Sequence, residues 1–125
     1  IIEPVGGHGV YVDGKRFFPQ IPQSEFPSQR LVVALYEEAG VRAVELGACA
    51  FGQKDPKTGE DIWPKLDVMR IAISRRVYTD NHMDVIANAL EYIHQKRESY
   101  KGMQLRYEGP ILSLRHFTAG FELIE

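Results

Sequence analysis

Three polar side chains with useful chemistry stand in stretches that otherwise look built to be buried. Arg70 interrupts the apolar run Val68–Ile73 (VMRIAI), His116 interrupts LRHFTA, and His8 sits among the glycines of GGHG. In a strand, alternate side chains face opposite sides, so Met69, Ile71 and Ile73 would share one face and Arg70 would lie with Val68 and Ala72 on the other. A guanidinium is almost never buried without an anion. Its planar fork suits a carboxylate held by two parallel hydrogen bonds. Three readings follow: an internal ion pair with Glu45 or Asp67, an edge position open to solvent, or an anion brought by a ligand.

His116, read as part of a strand, shares its face with Leu112 and Leu114. Such surroundings would hold the imidazole neutral, with one donor and one acceptor. Either a backbone carbonyl satisfies it, or it positions an aromatic N–H or O–H in an apolar pocket. The ordinary imidazole pKa also permits proton exchange near neutrality. Around His8, glycines permit a close backbone approach, which serves a tight turn and a bound ligand equally well.

Other patterns fail on chemistry. Gly9–Lys15 (GVYVDGK) has the spacing of a phosphate loop. However, Arg16 stands where a magnesium-binding Ser or Thr is needed, and VYV is strand-like. Lys57-Thr58-Gly59 has no accompanying SxxK, and DPKTGE reads as a turn. His8, His82, His94 and His116 lack metal-ligand spacing, Cys49 has no CxxC partner, and no GxSxG is present. No metal site is expected.

With 125 residues, 44% of them hydrophobic and 26% charged, the chain suits one domain with a single core. A formal net charge of -2 gives no electrostatic footprint for nucleic acid or an anionic membrane. No apolar stretch reaches the roughly 18 residues of a spanning helix. A lone cysteine suits a reducing, cytoplasmic setting. The opening IIEPVGGHG, already apolar and without Met, looks cut from something longer.

The elements that must position these residues follow from periodicity and punctuation. HGVYVDG, VRAVEL and VMRIAI read as strands, as does MQLRYEG, and the run after Pro110 as a further extended segment. SQRLVVALYEEAG reads as a helix with apolar residues at Leu31, Val32, Leu35 and Tyr36 and Gly40 as its stop. The strongest helix pattern begins after Thr79 as N-cap and aligns Met83, Ile86, Leu90 and Ile93. FGQKDPKTGEDIWPK reads as a loop. The order strand, helix, strand, strand, helix, strand, strand predicts an α+β fold, a sheet covered by helices.

Taken together, PVGGHGVYVD, FPSQRLVVALYEEAGVRAVELG, KTGEDIWPKLDVMRIAISRRVYT, NHMD and LRHFTA resemble the β-eliminating lyases, the family of tryptophanase and tyrosine phenol-lyase. The likeness runs nearly end to end. It implies the small C-terminal domain (residues 1–125) of a pyridoxal-phosphate enzyme of the aspartate-aminotransferase type (fold type I), with the large cofactor-binding domain elsewhere in the chain. It further implies a cytoplasmic homotetramer, potassium as a candidate accessory cation, and L-tryptophan as substrate, cleaved to indole, pyruvate and ammonia. The family's carboxylate-binding arginine falls on Arg70, although Ser74 replaces the proline usual just beyond it. The histidine of RHFTA, which lines the indole pocket in tryptophanases, falls on His116; phenol-lyases carry phenylalanine there. Phenol-lyases also carry an arginine in an MERG-like segment, whereas this chain reads VELG, with an apolar Leu46. His8 matches a family histidine near the active site. Arg70, Leu46 and His116 are thus expected to bind substrate, and His8 and His116 to assist catalysis. No lysine here matches the family's cofactor lysine, so these residues alone are expected to be inactive. The alternatives are a tyrosine phenol-lyase or other β-eliminating lyase, or a stand-alone module that binds carboxylates.

Overall fold

The computed structural model describes all 125 residues. In chain order it contains β1 (Gly9–Asp13), α1 (Gly14–Phe17), α2 (Pro27–Ala39), β2 (Val44–Leu46), α3 (Ala48–Phe51), β3 (Gln53–Lys54) and β4 (Asp61–Ile62). These are followed by β5 (Val68–Ala72), α4 (Asp80–Gln95), β6 (Met103–Tyr107), α5 (Arg115–Thr118) and β7 (Gly120–Leu123). The α+β class holds, but the strands divide among three small sheets rather than one.

The main sheet has the order β1-β5-β2, antiparallel throughout, so the Arg70 strand is central and not an edge. Its register sorts the side chains by face. Val10 opposes Ile71, Val12 opposes Met69, and Glu45 opposes Met69 from the other side. These residues face the helices, where Met69 and Ile71 pack with Leu31, Ala34 and Leu35 of α2 and Ala89 and Ile93 of α4. Tyr11 and Val44 flank Arg70, while Leu46 and Asp13 flank Val68. No helix covers that second face.

Both long helices follow their local rules. In α2, Leu31 and Leu35 are fully buried, Val32 is half-buried, and Gly40 closes the helix at φ 65, a conformation glycine adopts without strain. Tyr36 is 57% exposed. It lies one residue past the Leu31–Leu35 row and on the rim of the stripe. In α4, the Thr79 N–H donates to His82 Nδ1 at 3.1 Å, while the His82 N–H donates to the Thr79 carbonyl at 3.0 Å, so the first turn closes on its own N-cap residue.

A second, smaller core unites Phe26, Ala48 and Cys49 with Trp63, Leu105, Ala119 and Phe121. The Phe26 ring packs edge-on against Phe121 at 5.1 Å between centroids. This cluster anchors α3 to the β6–β7 hairpin, which pairs Met103 with Leu123. The expected extended run after Pro110 is extended only from Gly120. Leu112–Leu114 form a 3-10 turn leading into α5, whose single turn closes with Ala119 N–H donating to the Arg115 carbonyl at 2.6 Å. Loop 51–65 likewise contains the two-residue pairing of β3 with β4.

Candidate active site on the open sheet face

Arg70 occupies the middle of the uncovered face, half-buried between Tyr11 and Val44. It forms none of the chain's ion pairs within 4.0 Å, and its Nε is buried with no hydrogen-bond partner. Neither proposed internal partner reaches it. Glu45 opposes Met69 and therefore points to the helix side, the face away from Arg70. Its two carboxylate oxygens accept the Cys49 and Ala50 N–H groups at 2.9 Å each. Asp67 precedes Val68 and is 1% exposed, lying against Gly47, where a Cβ would collide with its carboxyl. The guanidinium therefore has no anion within its own chain. A charge so placed has a strong preference for an arriving carboxylate, because leaving it unpaired is the costlier state.

Beside Arg70 runs an apolar groove of about 540 Å³ lined by Ile2, Tyr11, Leu46, Phe51, Pro64, Leu66 and Val68. Three of these lining residues belong to the same sheet face as Arg70: Tyr11 is its cross-strand neighbour, Val68 lies two residues along its strand, and Leu46 opposes Val68. Leu66 and Phe51 are 61% and 57% exposed, so the groove is open on one side. Gly9 helps to shape this face. A Cβ at that position would sit 3.2 Å from the Tyr11 ring, so glycine leaves the phenol space to lean along the strand. A cation next to an apolar trough can take a molecule with a carboxylate at one end and a flat apolar group at the other.

The other two expected residues lie apart from this groove. His8 is exposed at the far end of β1; its carbonyl accepts Ile73 N–H at 2.6 Å, and its neighbours in a shallow cleft are Ala72, Ile73, Ser74, Arg75 and Arg76. Gly7, at φ 69, makes the tight turn that leads into β1. His116 stands on α5, not on a strand, so the expected alternation with Leu112 and Leu114 is absent. Those two leucines are 63% and 44% exposed. The His116 ring stacks obliquely on Phe117 at 4.0 Å, and its Nδ1 is buried without a partner, so no backbone carbonyl satisfies it there. Its link to Leu46 runs through α3, which follows β2 directly and packs on α5.

Burial also distorts the acid–base behaviour of the supporting groups. Desolvation pushes the Glu45 carboxyl up to about 7, against the lowering effect of its two amide donors. It raises Asp67 as well, and lifts the Cys49 thiol to about 11, which makes that buried cysteine a packing residue and not a nucleophile. No lysine lines the groove. Lys15 donates to the Lys65 carbonyl at 2.9 Å, Lys54 pairs with Asp61, and Lys96 lies over Tyr92. The lining side chains alone therefore do not fit pyridoxal phosphate, which needs a lysine and a phosphate cradle.

Tyr11, Phe51 and Leu66 were not singled out in the sequence. The alternation of GVYVD sets Tyr11 on the face opposite Val10 and Val12, but only the β1–β5 register places it beside Arg70. Nothing periodic marks Phe51 or Leu66, which come from a one-turn helix and a loop.

Comparison with known proteins bears directly on this geometry. No family model matches the chain. Tyrosine phenol-lyase of Symbiobacterium thermophilum is 48% identical over 124 residues, 99% of this chain and 26% of that protein. The probable tryptophanase of Aeropyrum pernix is 44% identical over 126 residues, 100% of this chain and 27% of that protein. A probable β-eliminating lyase of Trichomonas vaginalis is 43% identical over 123 residues, 98% of this chain and 26% of that protein. The chain spans about a quarter of the length of these curated relatives, and along that quarter it is similar from end to end to tyrosine phenol-lyases, a probable tryptophanase and a probable β-eliminating lyase.

Proposed function

We propose that the full-length polypeptide is a pyridoxal-phosphate-dependent carbon–carbon lyase that converts L-tryptophan to indole, pyruvate and ammonia. In this reading residues 1–125 form its C-terminal small domain on the fold-type I plan, and the cofactor lysine and phosphate cup belong to a large domain. The observation that carries the proposal is Arg70, unpaired at the centre of an uncovered sheet face and adjoining an apolar groove.

Arg70 holds the α-carboxylate through its fork and so fixes the direction of the Cα–H bond. Leu46, Phe51 and Val68 receive the aromatic side chain, and burying the groove under a second lobe would exclude water from the breaking bond. His116, carried on α5, serves the leaving-group side, and His8 stands at the sheet's end in a supporting role. The bound cofactor would supply the electron sink that Cα deprotonation requires. Without a large domain these residues are expected to be inactive. A cytoplasmic homotetramer with a potassium-type accessory cation completes the proposal.

One observation favours a second reading, cleavage of tyrosine to phenol. Several relatives are named tyrosine phenol-lyases, at 43–49% identity. Against it, Leu46 offers the ring no charged donor, whereas a phenol hydroxyl benefits from one. Assaying the full-length protein with both amino acids decides between them: indole release well above phenol release is expected, and the reverse ranking would overturn the choice.

A further inference from the structure

The β2–α3 corner and the 111–118 segment are joined through one side chain. Arg115 is only 11% exposed, and its guanidinium spreads over the exit of α3. Its Nε donates to the Cys49 carbonyl at 2.6 Å, and its Nη2 to the Ala48 and Gly52 carbonyls at 2.7 and 3.2 Å. Its Nη1 reaches Glu108 Oε1 at 3.3 Å. A one-turn helix leaves most of its carbonyls without intrahelical partners, and a buried cation at that end satisfies them. At the opposite end, Glu45 takes the Cys49 and Ala50 N–H groups. The α3 turn is thus held from both sides. It bears Phe51, a wall of the groove, and begins two residues after Leu46; the guanidinium that grips it belongs to the neighbour of His116.

Gly52 makes this grip possible. A Cβ there would collide with the Ala48 carbonyl oxygen and with Arg115 Nη2. Its φ of -62 is ordinary, so the requirement is for space and not for conformation.

We infer that Arg115 is a positioning residue which fixes Phe51, a wall of the apolar groove, and its own neighbour His116 in a single frame, while Leu46 is held by the β2–β5 ladder. This rests on the lyase reading above. The effect concerns the aromatic end of the substrate and leaves the Arg70 end alone, because β5 is held by its own ladder. Lysine cannot replace this arginine, since one ammonium on a flexible stem cannot hold three carbonyls in a planar fork.

The test uses the full-length enzyme with the variants Arg115→Lys, Arg115→Gln and Gly52→Ala. Each is assayed on the aromatic amino acid that the wild type cleaves and on S-methylcysteine, whose leaving group is too small to span the pocket. For the aromatic substrate kcat/KM falls about 10- to 100-fold in all three variants, the scale of a misplaced contact. For S-methylcysteine it stays within about 3-fold. In hydrogen exchange, the amides of Gly52 and Ala119, which donate to Ala48 and Arg115, lose protection together. Retention of aromatic activity and protection by Arg115→Lys would overturn the inference, as would a parallel fall on both substrates. A wild type that releases neither indole nor phenol removes the lyase reading itself and takes the positioning role with it, a result separable from any variant effect.

Discussion

The face around Arg70 and the corner around Arg115 each present an arginine in a polar-poor setting, yet they are built on opposite principles. Arg70 stands on the central strand of a ladder, its position set by pairing on both sides, and its charge is left unpaired. Arg115 stands on a one-turn helix whose place is set by side-chain bonds, and its charge is spent on three carbonyls and Glu108. One arginine is held by the fold with its charge unpaired; the other helps to hold the fold together. Sites on strands are placed more rigidly than sites on short turns. In the proposed reading the carboxylate anchor, common to any amino-acid substrate, sits on the rigid element. The pocket walls that distinguish leaving groups sit on short elements that few substitutions would re-aim.

The sharpest way to break this contrast is to replace Arg70. With no internal anion to strand, Arg70→Lys or Arg70→Gln in the full-length enzyme should cost about 10²-fold or more in kcat/KM, the scale of losing one partner of a buried charge pair. Thermal stability should stay within about 2 °C, because the native state loses no ion pair. A comparable drop in stability and activity would mean that Arg70 serves the fold after all.

The same contrast explains what was legible in the sequence. β1, β5, α2 and α4 carry their faces in periods of 2 and 3.6, so the shared face of Met69 and Ile71 was legible; both are buried, as are Leu31 and Leu35 of α2. Period 2 also excluded Glu45 as a partner for Arg70, once the register opposed Glu45 to Met69. Register is a long-range property that no single segment displays. The His116 segment failed because LSLRHF alternates like a strand, while its real partners lie more than sixty residues away in α3. Tertiary hydrogen bonds, and not local pattern, make that turn helical.

Glu45 offers a second, smaller probe, aimed at the corner. The residue is 4% exposed, and burial raises its carboxyl to about 7, against about 4.5 for the free group. The native state therefore retains a proton that the unfolded chain releases between those values. Stability falls as pH rises from about 4.5 to 7 and is flat above, a loss on the order of 3 kcal/mol for such a shift. Glu45→Gln should flatten this part of the profile. Denaturant midpoints of wild type and variant from pH 4.5 to 8 provide the measurement; parallel curves would show that Glu45 is ionised throughout. Asp67 is displaced in the same direction by burial, so the difference between the two proteins is what isolates Glu45.

The smallest expected effect tests whether the groove discriminates at all. Leu46 shares the open face with Arg70, opposite Val68, and its side chain lines the apolar trough. Leu46→Arg would place a second cation on that face, with a donor available to a phenol hydroxyl and little to offer indole. Tryptophan cleavage should fall about 10-fold, and the ratio of phenol to indole release should rise by a similar factor, the range that a single pocket contact commands. Like-charge repulsion from Arg70 works against part of this gain, so tyrosine turnover itself should rise less than the ratio does. Unchanged selectivity would move the aromatic ring out of this groove and toward the 111–118 segment, while leaving the role of Arg70 standing. The two regions would then contribute to different substrate ends in a more unequal way than their shared frame suggests.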